Sequence, residues 1–124
     1  GVPCVYYGDE AGLSGGEDPF NRACFPWGHE NKELLEHYKT LGRIRKLCPA
    51  FVDGEFNCIS AVLGCIAYER ISDTGCALII ANANDREIEY RVPESWRNAP
   101  ALFGKAAYGR SVSVGAHSAV ILHR

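Results

Sequence analysis

Between Gly8 and Gly28 the sequence sets Asp18 and Arg22 four residues apart among Phe20, Phe25 and Trp27. Aspartate and arginine make charge-assisted hydrogen bonds to neutral hydroxyls, and flat aromatic rings match the C–H faces of sugar rings. This is the chemistry of carbohydrate binding. A plainer role fits the same residues: an Asp–Arg pair that ties down a long loop beside a hydrophobic cap.

Other groups offer less. Asp9 and Glu10 are adjacent at the end of an apolar run, and successive strand residues point to opposite faces. They are not expected to form the pair of carboxyls, roughly 5–5.5 Å apart, that double-displacement chemistry on a sugar requires. Asp73, Asp85, Glu87, Glu89 and Glu94 sit in or beside turns and read as solvated. The histidines His29, His37, His117 and His123 are scattered, and no cysteine has zinc-ligand spacing, so neither a metal nor a cofactor is expected. Cys4, Cys58, Cys65 and Cys76 lie in apolar, strand-like settings, which points to buried free thiols in a reducing, cytoplasmic compartment; a disulfide framework is the alternative.

The elements that must position these residues change character near Pro49. Residues 3–7 form a continuously apolar run ended by Gly8, as in a strand buried on both faces. Gly12, Gly15, Gly16, Pro19 and Pro26 make residues 8–28 a loop. A helix is predicted over Asn31–Leu47, where Leu34, Leu35, Tyr38, Leu41 and Ile44 recur at helical spacing and Pro49 stops the pattern. Beyond it come seven short β-like runs: Phe56–Ile59, Cys65–Ile71, Cys76–Ala81, Ile88–Val92, Ala101–Phe103, Ser111–Val114 and Ala119–Leu122. Hairpin-length connections between them imply an antiparallel sandwich or barrel. The fold expected is therefore mainly β: an antiparallel β-sandwich over residues 50–124, preceded over residues 1–49 by one βα unit.

A lone βα unit lacks the neighbours that a doubly apolar strand needs. The chain of 124 residues contains no Met and opens on that strand, so it reads as a piece whose upstream part, with any leader, is missing. Without its neighbours the strand is expected to be mobile or exchanged with a second copy of the chain. A hydrophobic share of 47% is that of a globular protein, and the formal charge of −2 gives no reason to expect nucleic acid or an anionic membrane as partner. The cluster Arg43, Arg45 and Lys46 reads as the solvated last turn of the helix, where cations suit the dipole.

Two motifs sharpen this. Gly1-Val2-Pro3-Cys4-Val5-Tyr6-Tyr7-Gly8-Asp9-Glu10-Ala11-Gly12 resembles the last barrel strand of the α-amylase superfamily, glycoside hydrolase family 13. Gly15-Gly16-Glu17-Asp18-Pro19-Phe20-Asn21-Arg22 with Phe25-Pro26-Trp27 resembles the following loop, above all in its neopullulanase and cyclomaltodextrinase branch. The helix end Leu41-Gly42-Arg43-Ile44-Arg45-Lys46 is similar to the last barrel helix, and the β region to the small C-terminal domain. The resemblance implies a (β/α)8 barrel upstream, with the loop from Gly8 facing an α-glucan cleft. It implies that Asp18 and Arg22 bind glucose units on the non-reducing side of the cut, and that Tyr6, Tyr7, Glu10 and Trp27 shape or support the site. The family's three catalytic carboxylates come from earlier strands, so no catalytic residue is expected here and the chain alone should be inactive.

Two other readings compete with this one. A freestanding carbohydrate-binding sandwich needs exposed aromatics on its strands, whereas Trp96, Phe103 and Tyr108 lie near loops and form no stripe. A purely structural tail is compatible with the β half, but not with residues 1–27.

Overall fold

The computed structural model describes residues 2–124. It divides into two compact units, one ending at Ile44 and the other spanning Arg45–Arg124.

In the first unit residues 2–7 form no strand, contrary to the expectation from their apolar run. Val2, Val5 and Tyr6 stand 89%, 52% and 67% exposed. A strand exists only by pairing its backbone groups, and this unit contains no other strand to pair with among the described residues. Asp9 and Glu10 are likewise not at a strand end; they lie in a 3-10 turn, Asp9–Ala11. Gly8 makes that turn possible. Its φ is +81°, and a Cβ there would lie 2.7 Å from Leu13 Cβ. Helix α1 (Lys32–Leu47) begins one residue later than predicted because Asn31 is its cap, the side-chain Oδ1 accepting the Leu34 N–H at 3.1 Å. Asn31 also donates its own N–H to Ala11 O at 2.9 Å, which fixes the turn to the helix start.

The second unit is the β domain, and all seven predicted runs are strands: β1 (Glu55–Val62), β2 (Cys65–Ser72), β3 (Gly75–Asn82), β4 (Ile88–Arg91), β5 (Ala101–Phe103), β6 (Ser111–Val114) and β7 (Ser118–His123). Every pairing is antiparallel. One sheet has the order β1-β2-β3-β7-β5, and β4 and β6 form the other. Two residues, Leu63 and Gly64, join β1 to β2 at φ +49° and +74°, the left-handed geometry whose twist matches that of a hairpin. At the start of the unit Pro49 opens a 3-10 turn, Pro49–Phe51, that packs on β2 and β3. Arg45 Nη1 donates to Phe51 O at 2.6 Å and Arg70 Nε to Ala50 O at 3.1 Å. Gly54 follows where a Cβ would stand 2.5 Å from Ala50 O.

The core lies between the sheets: Ala67 of β2, Leu78 and Ile80 of β3, and Val120 and Leu122 of β7 meet Val112 and Val114 of β6. Two strands are too few to cover five. A 3-10 turn, Glu94–Trp96, completes the second layer by burying Trp96 fully, with Val92, Ala99 and Ala107 in the same cluster. The Trp96 Nε1–H needs an acceptor there, and Glu69 Oε1 accepts it at 2.5 Å. Asn57, opposite Glu69 in the β1–β2 register, donates to its other oxygen at 3.0 Å. At the far end of β3 the buried Asn82 donates through Nδ2 to the carbonyls of Arg86, Val114 and Gly115, tying the five-stranded sheet to the end of β6. No buried side-chain polar atom among the described residues lacks a partner.

Replacing Trp96 by Ala should lower the stability of the chain by about 3–5 kcal/mol, the usual cost of truncating a buried aromatic. Val62→Ala, on the 63%-exposed side chain of an edge strand, should change it by less than about 0.5 kcal/mol. Denaturant unfolding of both variants checks this; equal effects would mean that Trp96 is not the keystone of the layer.

Candidate functional site

The loop from Gly8 to Gly28 is organised by its own contacts. Arg22 and Asp18 form an ion pair, Nε to Oδ1, at 2.8 Å across a 3-10 turn, Phe20–Arg22. Both side chains are exposed, 74% for Arg22 and 59% for Asp18, so the pair adds little to stability, on the order of 0.2–1 kcal/mol. The contact uses one carboxylate oxygen and one guanidinium nitrogen. Asp18 Oδ2 and both Nη groups of Arg22 remain for a ligand, already oriented by the pair.

Tyr7 holds the same turn from the other side, its Oη donating to Asn21 O. Its ring lies 4.7 Å from that of Tyr6, tilted by 48°. Tyr6, Tyr7, Asp9, Phe20 and Asn21 are among the residues around a concavity of about 280 Å³. Asp9 closes the turn beneath it, Oδ2 accepting the Tyr6 N–H at 3.0 Å. Further along, the Phe25 and Trp27 rings meet at a tilt of 52° with centroids 4.6 Å apart, and Trp27 is 80% exposed.

Of the residues singled out from sequence, Asp18 and Arg22 are thus brought together, Tyr7 is brought to the same turn, and Tyr6 and Tyr7 both line the concavity. Glu10 and Trp27 stand apart from it, Trp27 offering an open ring face and Glu10 a half-buried position in the Asp9–Ala11 turn. Asn21 escaped the sequence reading because it acts through its main-chain carbonyl, which every residue possesses. Phe20, counted there only among the aromatics, is 77% exposed at the rim.

All six cysteines are free. The expectation that Cys4, Cys58, Cys65 and Cys76 are buried holds in part. Cys65 and Cys76 pack against the core, and burial pushes the Cys65 thiol up from its ordinary range. Cys4 is exposed on the unpaired segment and Cys58 on the edge strand, while the buried thiol is Cys48. No group of three or more metal-ligating side chains occurs among the described residues, and no helix of the described residues is long and apolar enough to cross a membrane.

The β domain, with five strands against two and a single preceding helix, is the architecture of the C-terminal domain of α-amylase-type enzymes. A debranching enzyme from Nostoc punctiforme matches the whole chain with a TM-score of 0.86 at 29% identity, over 28% of that enzyme. A maltogenic α-amylase from Bacillus acidopullulyticus is 36% identical over 73% of the chain, and a cyclomaltodextrinase from a Bacillus species 40% identical over 69%. No family model matches. The chain belongs to the α-amylase family, glycoside hydrolase family 13, and matches the C-terminal region of its neopullulanase-like members. It spans 16% of the length of each of these two Bacillus relatives.

One consequence of the loop geometry is a pH response. Glu30, just past Trp27, is held below the usual glutamate range first by its own backbone N–H, then by that of Gly28, which its Oε1 accepts at 3.1 Å. A carboxyl depressed in the folded state stabilises above its unfolded pKa, and that contribution is lost as pH falls through the folded one. Carboxyl titration by NMR should place Glu30 below the ordinary value; an ordinary value would show that the Gly28 contact is not populated.

Proposed function

We propose that the chain is the substrate-binding and stabilising C-terminal part of a retaining glycoside hydrolase that acts on α-1,4-linked, and also α-1,6-linked, glucans: starch, maltooligosaccharides, pullulan or cyclodextrins. The observation that carries the reading is the Asp18–Arg22 pair, preformed at 2.8 Å yet exposed and only half used. Asp18 and Arg22 grip hydroxyls of glucose units on the non-reducing side of the cut. Trp27 presents a flat face to a sugar ring, Tyr7 holds the loop through Asn21, and Glu10 supports the turn behind it. The chain supplies no catalytic carboxylate; nucleophile, acid/base and transition-state stabiliser come from a barrel earlier in the same polypeptide, and this chain alone does not turn over glucan. No cofactor, nucleic acid or membrane enters the reading.

The barrel is also the natural cover for the exposed side chains Val2, Val5, Tyr6 and Tyr7. In its absence a second copy of the chain, exchanging this segment, is the partner that would bury them. Six unpaired thiols favour a reducing compartment, hence the cytoplasm.

The test uses the full-length enzyme that carries this chain, with Asp18→Ala and Arg22→Ala introduced singly. Loss of one charge-assisted hydrogen bond to ligand costs about 1.5–3 kcal/mol. Affinity for maltooligosaccharide should fall by about 10- to 150-fold while the melting temperature stays nearly unchanged. A lowered melting temperature with unaltered affinity would show that the pair only ties down the loop.

A further inference from the structure

A second combination of aromatic and polar groups lies on the β domain. Ile88 and Tyr90 of β4 and Val112 and Val114 of β6 belong to the core or pack against it. Their neighbours Glu89, Arg91, Ser111 and Ser113 therefore turn outward, by the alternation of strand side chains. Glu89, Arg91, Arg110 and Ser111 line a concavity of about 340 Å³.

Tyr108 stands beside this concavity on a pinned turn. Its backbone N–H donates to Ser111 O at 2.8 Å, and its carbonyl accepts the Ser111 N–H at 3.0 Å. Asn98 holds the same turn twice, Oδ1 accepting the Gly109 N–H at 2.7 Å and the Asn98 N–H donating to Gly109 O at 2.9 Å. A turn so firmly tied nevertheless leaves the Tyr108 ring 89% exposed, where it contributes almost nothing to the core. The polar groups next to it are also held in place. Arg110 donates from Nε to Val92 O at 3.2 Å and pairs through Nη1 with Glu94 at 3.2 Å, and Ser111 Oγ donates to Glu89. Arg91, opposite Ser111 in the register, has no side-chain hydrogen bond or ion pair among the described residues.

We propose that this face is a second, non-catalytic α-glucan-binding site, in which the Tyr108 ring stacks on the C–H face of one glucose unit while Arg91, Glu89 and Ser111 hydrogen-bond neighbouring hydroxyls. A sugar needs one apolar platform and, beside it, groups that donate, accept and do both; guanidinium, carboxylate and hydroxyl supply these in turn. A protein partner would need apolar ground around the anchor, and the residues lining this concavity are all polar. The choice of glucan rests on the function proposed above, but the site shares no residue with the Asp18–Arg22 loop, so the two can fail separately.

Affinity electrophoresis of the chain in gels containing soluble starch tests this. Starch should retard the unsubstituted chain, and it should still retard a chain carrying both Asp18→Ala and Arg22→Ala. Tyr108→Ala should weaken the retardation at least tenfold without moving the thermal transition, and Arg91→Ala should weaken it in the same direction. Tyr108→Phe, which keeps the ring, should retain most of it. Retardation of Tyr108→Ala equal to that of the unsubstituted chain would overturn the site while leaving the loop reading intact. No retardation of the unsubstituted chain would overturn it as well.

Discussion

The β domain depends on one buried contact, the Trp96 indole N–H on the Glu69 carboxylate. A five-stranded sheet faced by two strands leaves part of its inner surface open, and a single large side chain on a 3-10 turn closes it. Closing it with tryptophan brings a polar N–H into the core, and an unpaired donor there would cost about 1–3 kcal/mol. Glu69 resolves that cost and creates another, because a carboxylate in the core needs its own partners. Asn57 on the edge strand supplies one at 3.0 Å, and the Arg124 guanidinium lies 4.9 Å from the Trp96 ring centroid at the other end of the chain. The contact thus joins β1, β2, the cross-layer turn and the last residue in one network.

The two units obey different rules. The β domain meets its hydrogen-bonding needs internally, with Asn82 alone closing three carbonyls at the joint between the sheets. The first unit has a capped helix and an ordered loop, but its apolar leading segment has no sheet to join. Loops bear recognition when rigid elements hold them, and here the holding is done by short-range contacts: Tyr7 to Asn21, Asp9 to Tyr6, and Asn31 to Ala11.

Much of this was legible in the residues. The strands announced themselves because alternation and turn residues are local signals, and Ser72–Gly75 and Asn82–Asp85 mark the two ends of β3. The helix was placed to within one residue, since Asn31 and Pro49 mark its ends chemically. The leading strand was misread because strand formation is not local: the apolar run records a preference for neighbours that this unit lacks. The same holds for Cys58, whose setting looks buried in sequence and is exposed because β1 is an edge. In the loop from Gly8 to Gly28, the pairing of Asp18 with Arg22 was open to reading from their spacing, whereas the carbonyl of Asn21 carried no signal. Trp96 was judged to lie near a loop, as it does; that it is buried follows from the imbalance between the sheets, which no single stretch of sequence encodes.

If the chain completes an α-glucan hydrolase in the way proposed, it can stand in for the matching segment of a relative. The most direct measurement replaces the matching C-terminal segment of the Bacillus cyclomaltodextrinase with this chain and follows cyclodextrin hydrolysis by the purified chimera. A chimera that unfolds in one cooperative transition and hydrolyses cyclodextrin is the predicted result. A chimera that folds just as cooperatively but shows no turnover would mean that the chain does not play this part.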